Sequence, residues 1–266
     1  MRGKRFREDV AGSLRAQFGE DDVYLCYHAP RYAFLLDLLD PHLAIDEPRA
    51  ILDVGTSVLT NLLRERYGHP TDTLDLVPAE ARMRGFSPPS PGEGTSYVFD
   101  LNELQCREGP PDLGRYDIVL FCEVLEHLHI SPGYVFPFLR RLLQPTGLLV
   151  VQTPNAASIS KRVKLVLGRN PYGLIGDDPL NPGHFREYTL TEVRRFGTEA
   201  DLEVVSARYA SYFDVRYREP RPDSRSPFAG RMLNALYGIV PPSWRLGITV
   251  VFAPGNGRTP GGQPPP

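Results

Sequence analysis

The sequence predicts an α/β fold in which helices cover both faces of a largely parallel sheet, and three observations carry that prediction. Five short, β-branched apolar runs lack the polar alternation of a half-exposed strand, as strands buried on both faces do. They recur roughly every 20 to 30 residues, a spacing that leaves room for helical crossovers. Between them, apolar residues repeat at intervals of three and four behind serine or threonine caps.

In chain order, APRYAFLLDLLDPHL (29–43) predicts a helix ahead of the first strand, RAILDVG (49–55). SVLTNLLRERYG (57–68) predicts the next helix, followed by strands in DTLDLV (72–77), SYVFDL (96–101) and YDIVLFCEV (116–124). SPGYVFPFLRRLLQ (131–144) predicts a helix capped by Ser131, and GLLVVQTP (147–154) the fifth strand. TLTEVRRFGTEA (189–200) reads as a helix capped by Thr189 or Thr191, and LEVVSARYA (202–210) and LGITVVFAP (246–254) are two further strand candidates. With those, the sheet reaches about seven strands, and the layers number three.

Composition excludes several function classes. The 266 residues are 41% hydrophobic and 23% charged, ordinary for a globular chain, and no run of about 18 uncharged apolar residues offers a transmembrane segment. Thirty Lys and Arg against 32 Asp and Glu leave a net charge of -2, so no global field favours nucleic acid, and no DNA partner is expected. Cys26, Cys106 and Cys122 make no full disulfide set, and MRGKRFREDV has no apolar stretch behind its charges, so the expected setting is cytoplasmic. Pro254–Pro266 holds nine Gly or Pro in thirteen residues and is expected to be disordered, while SPPSPGEGT (87–95) and REPRPDSRSP (218–227) read as loops.

The chemistry-bearing residues fall at strand ends. Asp53 and Gly55 stand in ILDVGTSVLT where a strand turns into a helix and backbone can approach a ligand. Asp75 closes the second strand, 22 residues after Asp53, the place of a carboxylate that binds both ribose hydroxyls of a nucleoside. Asp100 closes the third, where a side chain or adjacent backbone meets a base edge. Each carboxylate alone reads equally as a turn or helix cap; their order is what points to a ligand.

Through ILDVG, TLDLV, YVFDLNE, YDIVLFCEVLEHL and LRRLLQPTGLLVVQTPN, over about 49 to 155 and again in GHFREYTLTEV, the chain resembles the class I S-adenosylmethionine-dependent methyltransferases. The resemblance implies a Rossmann-like three-layer sandwich, α/β, with a seven-stranded, mostly parallel sheet whose last strand is antiparallel. It implies S-adenosylmethionine as cofactor, with Asp53, Gly55 and Ser57 near its methionine end, Asp75 on the ribose, Asp100 on the adenine, Leu101 against the adenine ring, and Glu123 near the methionine and the substrate. The family usually carries glycine two and four residues after Gly55, where this chain has Ser57 and Leu59. A leucine there is expected to crowd the cofactor unless the loop takes another path, and it motivates the alternative of a non-catalytic binding or scaffolding member of the fold.

Methyl transfer to a hydroxyl needs alignment and a base, and His127 and His184 are the histidines in motif-bearing segments, hence the candidate catalytic residues. The plain readings are a helix-start residue packed on a loop for His127 and a loop residue for His184. Glu123, Glu126 and His127 lie at i, i+3 and i+4, so a helical turn would set them on one face, where with His184 they form a carboxylate and imidazole metal set. That set resembles the metal-dependent small-RNA 2′-O-methyltransferases, whose further histidine pattern is not matched; the reading adopted assigns no metal. The basic SKRVKLVLGR (160–169) reads as a solvated helix face, with phosphate contact as the alternative.

The expected organisation is an N-terminal helical cap over 1–48, with Tyr24, Tyr27, His28, Arg31 and Tyr32 closing the site, the methyltransferase domain over 49–253 with a substrate-cover insertion at about 156–188, and the tail 254–266. MLNALYGIVPPSW (232–244) is expected to serve as core or homodimer contact, with interfacial lipid contact as the minority reading. The expected function is O-methylation of a small polar acceptor: a sugar, a glycolipid headgroup or a natural-product hydroxyl.

Overall fold

A computed structural model describes residue 12 and residues 23–43, 47–77, 93–106, 109–178, 182–214 and 227–256. The expectations for the N-terminal ten residues, for most of the loops at 87–95 and 218–227, and for the tail beyond 256 lie outside the described residues. The chain divides into two compact units, one of residues 1–47 with 209–247 and the other of 48–208 with 248–266.

The larger unit carries the sheet. Its elements are β1 (Ile51–Val54), α2 (Val58–Tyr67), β2 (Thr71–Asp75), β3 (Ser96–Val98), β4 (Tyr116–Cys122), α3 (Pro132–Arg141), β5 (Leu143–Pro154), α4 (Ile159–Val166), α5 (Leu190–Glu199), β6 (Leu202–Ala210) and β7 (Gly247–Pro254). The seven strands lie in the order β3-β2-β1-β4-β5-β7-β6, with an antiparallel last strand in an otherwise mostly parallel sheet. β1 pairs in parallel with both β2 and β4, so Asp53 lies opposite Thr73 on one side and Leu120 on the other. Every residue of β1 is buried, as is the run Ile118–Cys122, which is why these strands read as continuous apolar runs.

Local chemistry sets the helix ends. Ser57 Oγ accepts the Leu59 N–H, and Gly68, at φ 67, closes α2 in the left-handed region. Ser131 caps α3 with Pro132 in its first turn and Arg140 and Arg141 in its last. Of the two candidates for the cap of α5, Thr189 serves, in a reciprocal box with Glu192, whose carboxylate is held below its usual range by the Thr189 bonds and Arg186 against the opposing effect of burial. Phe136, Phe196 and Phe252 form the aromatic core between α3, α5 and β7. α5 reaches the sheet at Gly197, where a Cβ would stand 2.1 Å from the Phe252 ring.

Several boundaries differ from expectation. β3 ends at Val98, so Asp100 does not close a strand; it caps the 3₁₀ turn Leu101–Glu103. β5 starts at Leu143, ahead of the expected Gly147, with a register shift between Tyr116 and Ile118 on its partner. His127 ends a 3₁₀ turn, Leu125–His127, and does not start a helix.

The smaller unit holds α1 (Val23–Leu43), which begins six residues before the expected 29, and α6 (Pro227–Ile239). Tyr27 stacks on Phe213 at 4.8 Å between ring centroids, and Phe34 meets Tyr212 edge-on at 5.0 Å. His28 is held neutral by burial, with the Arg31 charge acting the same way. In the 232–244 stretch Tyr237 and Val240 are core, while Met232, Leu236 and Ile239 are exposed. No helix among the described residues is long and apolar enough to cross a membrane.

Candidate active site

The carboxyl ends of β1, β2 and β3 are built from backbone and carboxylates. Gly55 follows β1 at φ +77, and a Cβ there would lie 2.2 Å from Val124 Cγ2, so conformation and space both demand glycine. Its N–H donates to the Leu74 carbonyl at 3.0 Å. Asp75 ends β2; its Oδ2 accepts the Thr56 N–H at 3.1 Å and its Oδ1 the Leu76 N–H at 2.7 Å, so the carboxylate is oriented from both sides. Asp100 Oδ1 accepts both the backbone and the side-chain N–H of Asn102 at 2.9 Å, and Leu101 beside it is buried.

Other residues singled out in the same motif serve the scaffold. Asp53 is 1% exposed and its Oδ2 accepts from Thr60 Oγ1 at 2.5 Å, tying β1 to α2. Ser57 spends its hydroxyl oxygen on the helix cap. Leu59 is also 1% exposed: the first turn of α2 directs it into the core, where it packs. This is the other path that the sequence left open for the loop, with the leucine turned inward.

The ends of β4 and β5 carry the titratable groups. Glu123 adopts φ 57, a strained conformation for a residue with a side chain, and its N–H donates to the Gln152 carbonyl at 2.7 Å. The 3₁₀ turn that follows places Glu126 fully inside, where Thr153 Oγ1 donates to its carboxylate at 2.8 Å. The Glu126 carbonyl in turn accepts the N–H groups of Phe185 and Arg186, at 2.8 and 3.3 Å, which clamps the returning segment onto the turn. Asn155 bridges to Tyr188 as a further isolated pair.

That clamp brings the two histidines together, with ring centroids 4.8 Å apart and planes at 89°. His127 Nδ1 lies 2.8 Å from the Gly183 carbonyl, which can only accept, so Nδ1 donates. His184 Nδ1 lies 3.2 Å from Glu187 Oε1, which by the same logic leaves Nε2 of His184 as the basic atom. Lys161 pairs with Glu187 and donates to the Asn155 carbonyl at 2.9 Å. Burial, followed by the His127 and Lys161 charges, lowers the His184 pKa to about 4. Lys161 itself falls to about 8 through burial, against the opposing pull of Glu126 and Glu123.

Glu126, His127 and His184 offer ligand atoms within 4.8 Å of one another and could hold a metal. Glu123 is not in that group, contrary to the expectation of a single helical face: its left-handed conformation ends β4 before the turn begins. Lys161, Glu187 and Thr153 were not singled out as site residues. Glu187 had one signal, three residues after His184 in HFREYT, and Lys161 was hidden in a stretch that reads as solvated.

A seven-stranded sheet in this order, with oriented carboxylates and a glycine turn at the carboxyl ends of its first strands, is the class I methyltransferase architecture. A family model described as "Methyltransferase domain" matches residues 27–207, and the chain belongs to that family. Its fold is similar to that of a SAM dependent methyltransferase from Archaeoglobus fulgidus, at 13% identity and TM-score 0.51 over 83% of this chain and 93% of that one. It is similar also to coclaurine N-methyltransferase bound to N-methylheliamine and SAH, at 13% and 0.53 over 95% and 88%, and to the [4+2]-cyclase SpnF, at 16% and 0.52 over 86% and 82%. These likenesses are of fold. No curated protein matches the chain with significance.

Proposed function

We propose that the chain is an S-adenosylmethionine-dependent O-methyltransferase acting on a small polar acceptor, a sugar, a glycolipid headgroup or a natural-product hydroxyl. The residues at the carboxyl ends of β1 to β3 fit such a cofactor. Gly55 lets the backbone turn tightly at the end of β1, packed against Val124 where a Cβ would not fit, and Asp75 is held by two backbone N–H groups in an orientation suited to a diol. A carboxylate offers about four acceptor positions, so those two bonds orient the group within a larger capacity. Asp100 and Leu101 form the third wall, for the adenine. When bound, the cofactor supplies a methyl group already activated on a sulfonium. Family membership favours catalysis over a purely scaffolding role, and the burial of Leu59 supports that reading.

The observation that carries the acceptor half is the His127 and His184 pair, each held at Nδ1, His127 by the Gly183 carbonyl and His184 by Glu187, with burial favouring the neutral form of His184. Glu187 orients His184, and Lys161 fixes Glu187, an arrangement of base and orienting carboxylate suited to taking the hydroxyl proton as the acceptor oxygen gains the methyl group. Segment 156–188 supplies Lys161, His184 and Glu187 and serves as the acceptor cover. N-methyl transfer, the activity printed for coclaurine N-methyltransferase, calls for no such base once the amine is neutral.

The test is transfer of a tritiated methyl group from S-adenosylmethionine to a panel of hydroxylated and amino acceptors. His184→Ala is expected to lower turnover on the hydroxylated acceptor by roughly 10²-fold to 10⁴-fold. Exclusive labelling of amines, or an unimpaired His184→Ala enzyme, contradicts the reading. The cluster of Glu126, His127 and His184 favours a second reading, divalent-metal assistance, in which a chelator abolishes transfer and added metal restores it. Lys161 already places a cation beside Glu126, which is why the base reading is preferred.

A further inference from the structure

The cover segment carries an apolar surface that the proposed chemistry does not use. None of the residues of α4 is buried. Val166 is 87% exposed and Leu174 95%, and Val163, Leu165, Leu167 and Ile175 are exposed with them. Isolated exposed leucines are ordinary, but six exposed aliphatic side chains within thirteen consecutive residues are a concentration of the kind that marks an interaction surface. Lys161, Arg162, Lys164 and Arg169 are interspersed, and no acid occurs from Ala156 to Gly176, in a chain whose net charge is -2; Asp177 and Asp178 come next. Lys161 is engaged with Glu187, while Arg162, Lys164 and Arg169 are exposed.

We propose that the segment 162–175 docks onto the surface of an anionic lipid bilayer, its aliphatic side chains entering the headgroup boundary and its basic residues meeting lipid phosphates. The charge pattern selects this occupant. A second copy bringing the same patch would oppose basic residues to basic residues, which a self-complementary interface does not tolerate. An anionic bilayer supplies both the apolar interior and the complementary charge. The patch belongs to the same segment as Lys161, which holds Glu187 and through it His184, so docking acts on the element that borders the proposed acceptor site. The acceptor class this fits is a hydroxyl on a membrane-lipid headgroup; that extension rests on the proposed O-methyl transfer, whereas the docking does not.

Flotation of the full chain with phosphatidylcholine vesicles, with and without phosphatidylglycerol, tests the docking without any turnover. The chain is expected to float with the anionic vesicles only and to be released by salt. Val166→Asp with Leu174→Asp, and separately Lys164→Glu with Arg169→Glu, are each expected to cut the bound fraction about tenfold. S-adenosylhomocysteine affinity, unchanged in both variants, reports that they fold and that the cofactor half is intact. No flotation of the parent chain, equal flotation with neutral vesicles, or parent-like flotation of both variants overturns the docking. A shift of the chain from dimer to monomer in Val166→Asp with Leu174→Asp would also overturn it, in favour of a contact between copies. Transfer to a water-soluble acceptor measures the enzymatic reading separately.

Discussion

The two halves of the candidate site are built by different means. At the ends of β1 to β3 the candidate carboxylates and Ser57 are fixed by neighbours close in sequence or at the end of the adjacent strand: Asp75 by Thr56 and Leu76, Asp100 by Asn102, Ser57 by Leu59. At the ends of β4 and β5 the groups are fixed across long separations, His127 by Gly183, 56 residues away, and Glu126 by Thr153, 27 away. A half made of local bonds constrains its own sequence spacing; a half made of distant bonds leaves only scattered residues to read. The first half suits a ligand that never changes, and the second, carried on a long segment, suits one that can change without disturbing the sheet.

The sharpest way to break this comparison is to disturb the scaffold under the first half. Leu59→Ala removes a fully buried side chain from the base of α2 and is expected to cost about 2 to 5 kcal/mol of stability. Thermal unfolding checks it; an unchanged midpoint with tighter S-adenosylhomocysteine binding would restore the idea that Leu59 crowds the cofactor.

A smaller effect separates the halves by pH. His184 has a folded pKa of about 4 against 6.5 for the free group, so between those values the unfolded chain binds more protons. Stability is therefore expected to rise with pH across that window, and turnover to fall as the imidazole protonates toward pH 4. Cofactor affinity measured over the same range is expected to stay level above the carboxylate range. Denaturant unfolding of the parent and of His184→Ala at a series of pH values checks the sign: the variant should lose the part of the slope that His184 supplies. The smallest effect is at the edge of the acceptor half, where Thr189→Ala removes the side-chain cap of α5 and is expected to cost about 1 kcal/mol, measurable by the same unfolding experiment.

The legible part of the molecule follows the same division. β1, β4 and the second half of β5 are readable because burial on both faces removes polar alternation, the part-exposed β3 and β6 because they are rich in β-branched and aromatic residues, and Gly55 and Asp75 because a strand-to-helix turn and a strand end each leave a fixed spacing. Asp100 reads as a strand end because the apolar run YVF leads up to it, whereas β3 stops at Val98 and the aspartate caps a turn; apolar character alone does not locate the last ladder bond. The burial of Leu59 is not legible in the sequence because its direction depends on how α2 leaves the sheet, which one sequence position does not encode. The pairing of Lys161 with Glu187 is not legible because the return of a long segment sets it, and the strain at Glu123, itself a candidate by its place after the fourth strand, because left-handed backbone has no signature in a glutamate.

The most direct test of the division is a calorimetric titration of S-adenosylhomocysteine into the parent chain, Asp75→Ala and His184→Ala. Asp75 is expected to make two charge-assisted bonds to the ribose, so Asp75→Ala should weaken binding by about 2 to 4 kcal/mol, while His184→Ala should bind as the parent does. No binding by the folded parent chain, or equal affinity in folded Asp75→Ala, would contradict the assignment of the β1 to β3 ends to the cofactor.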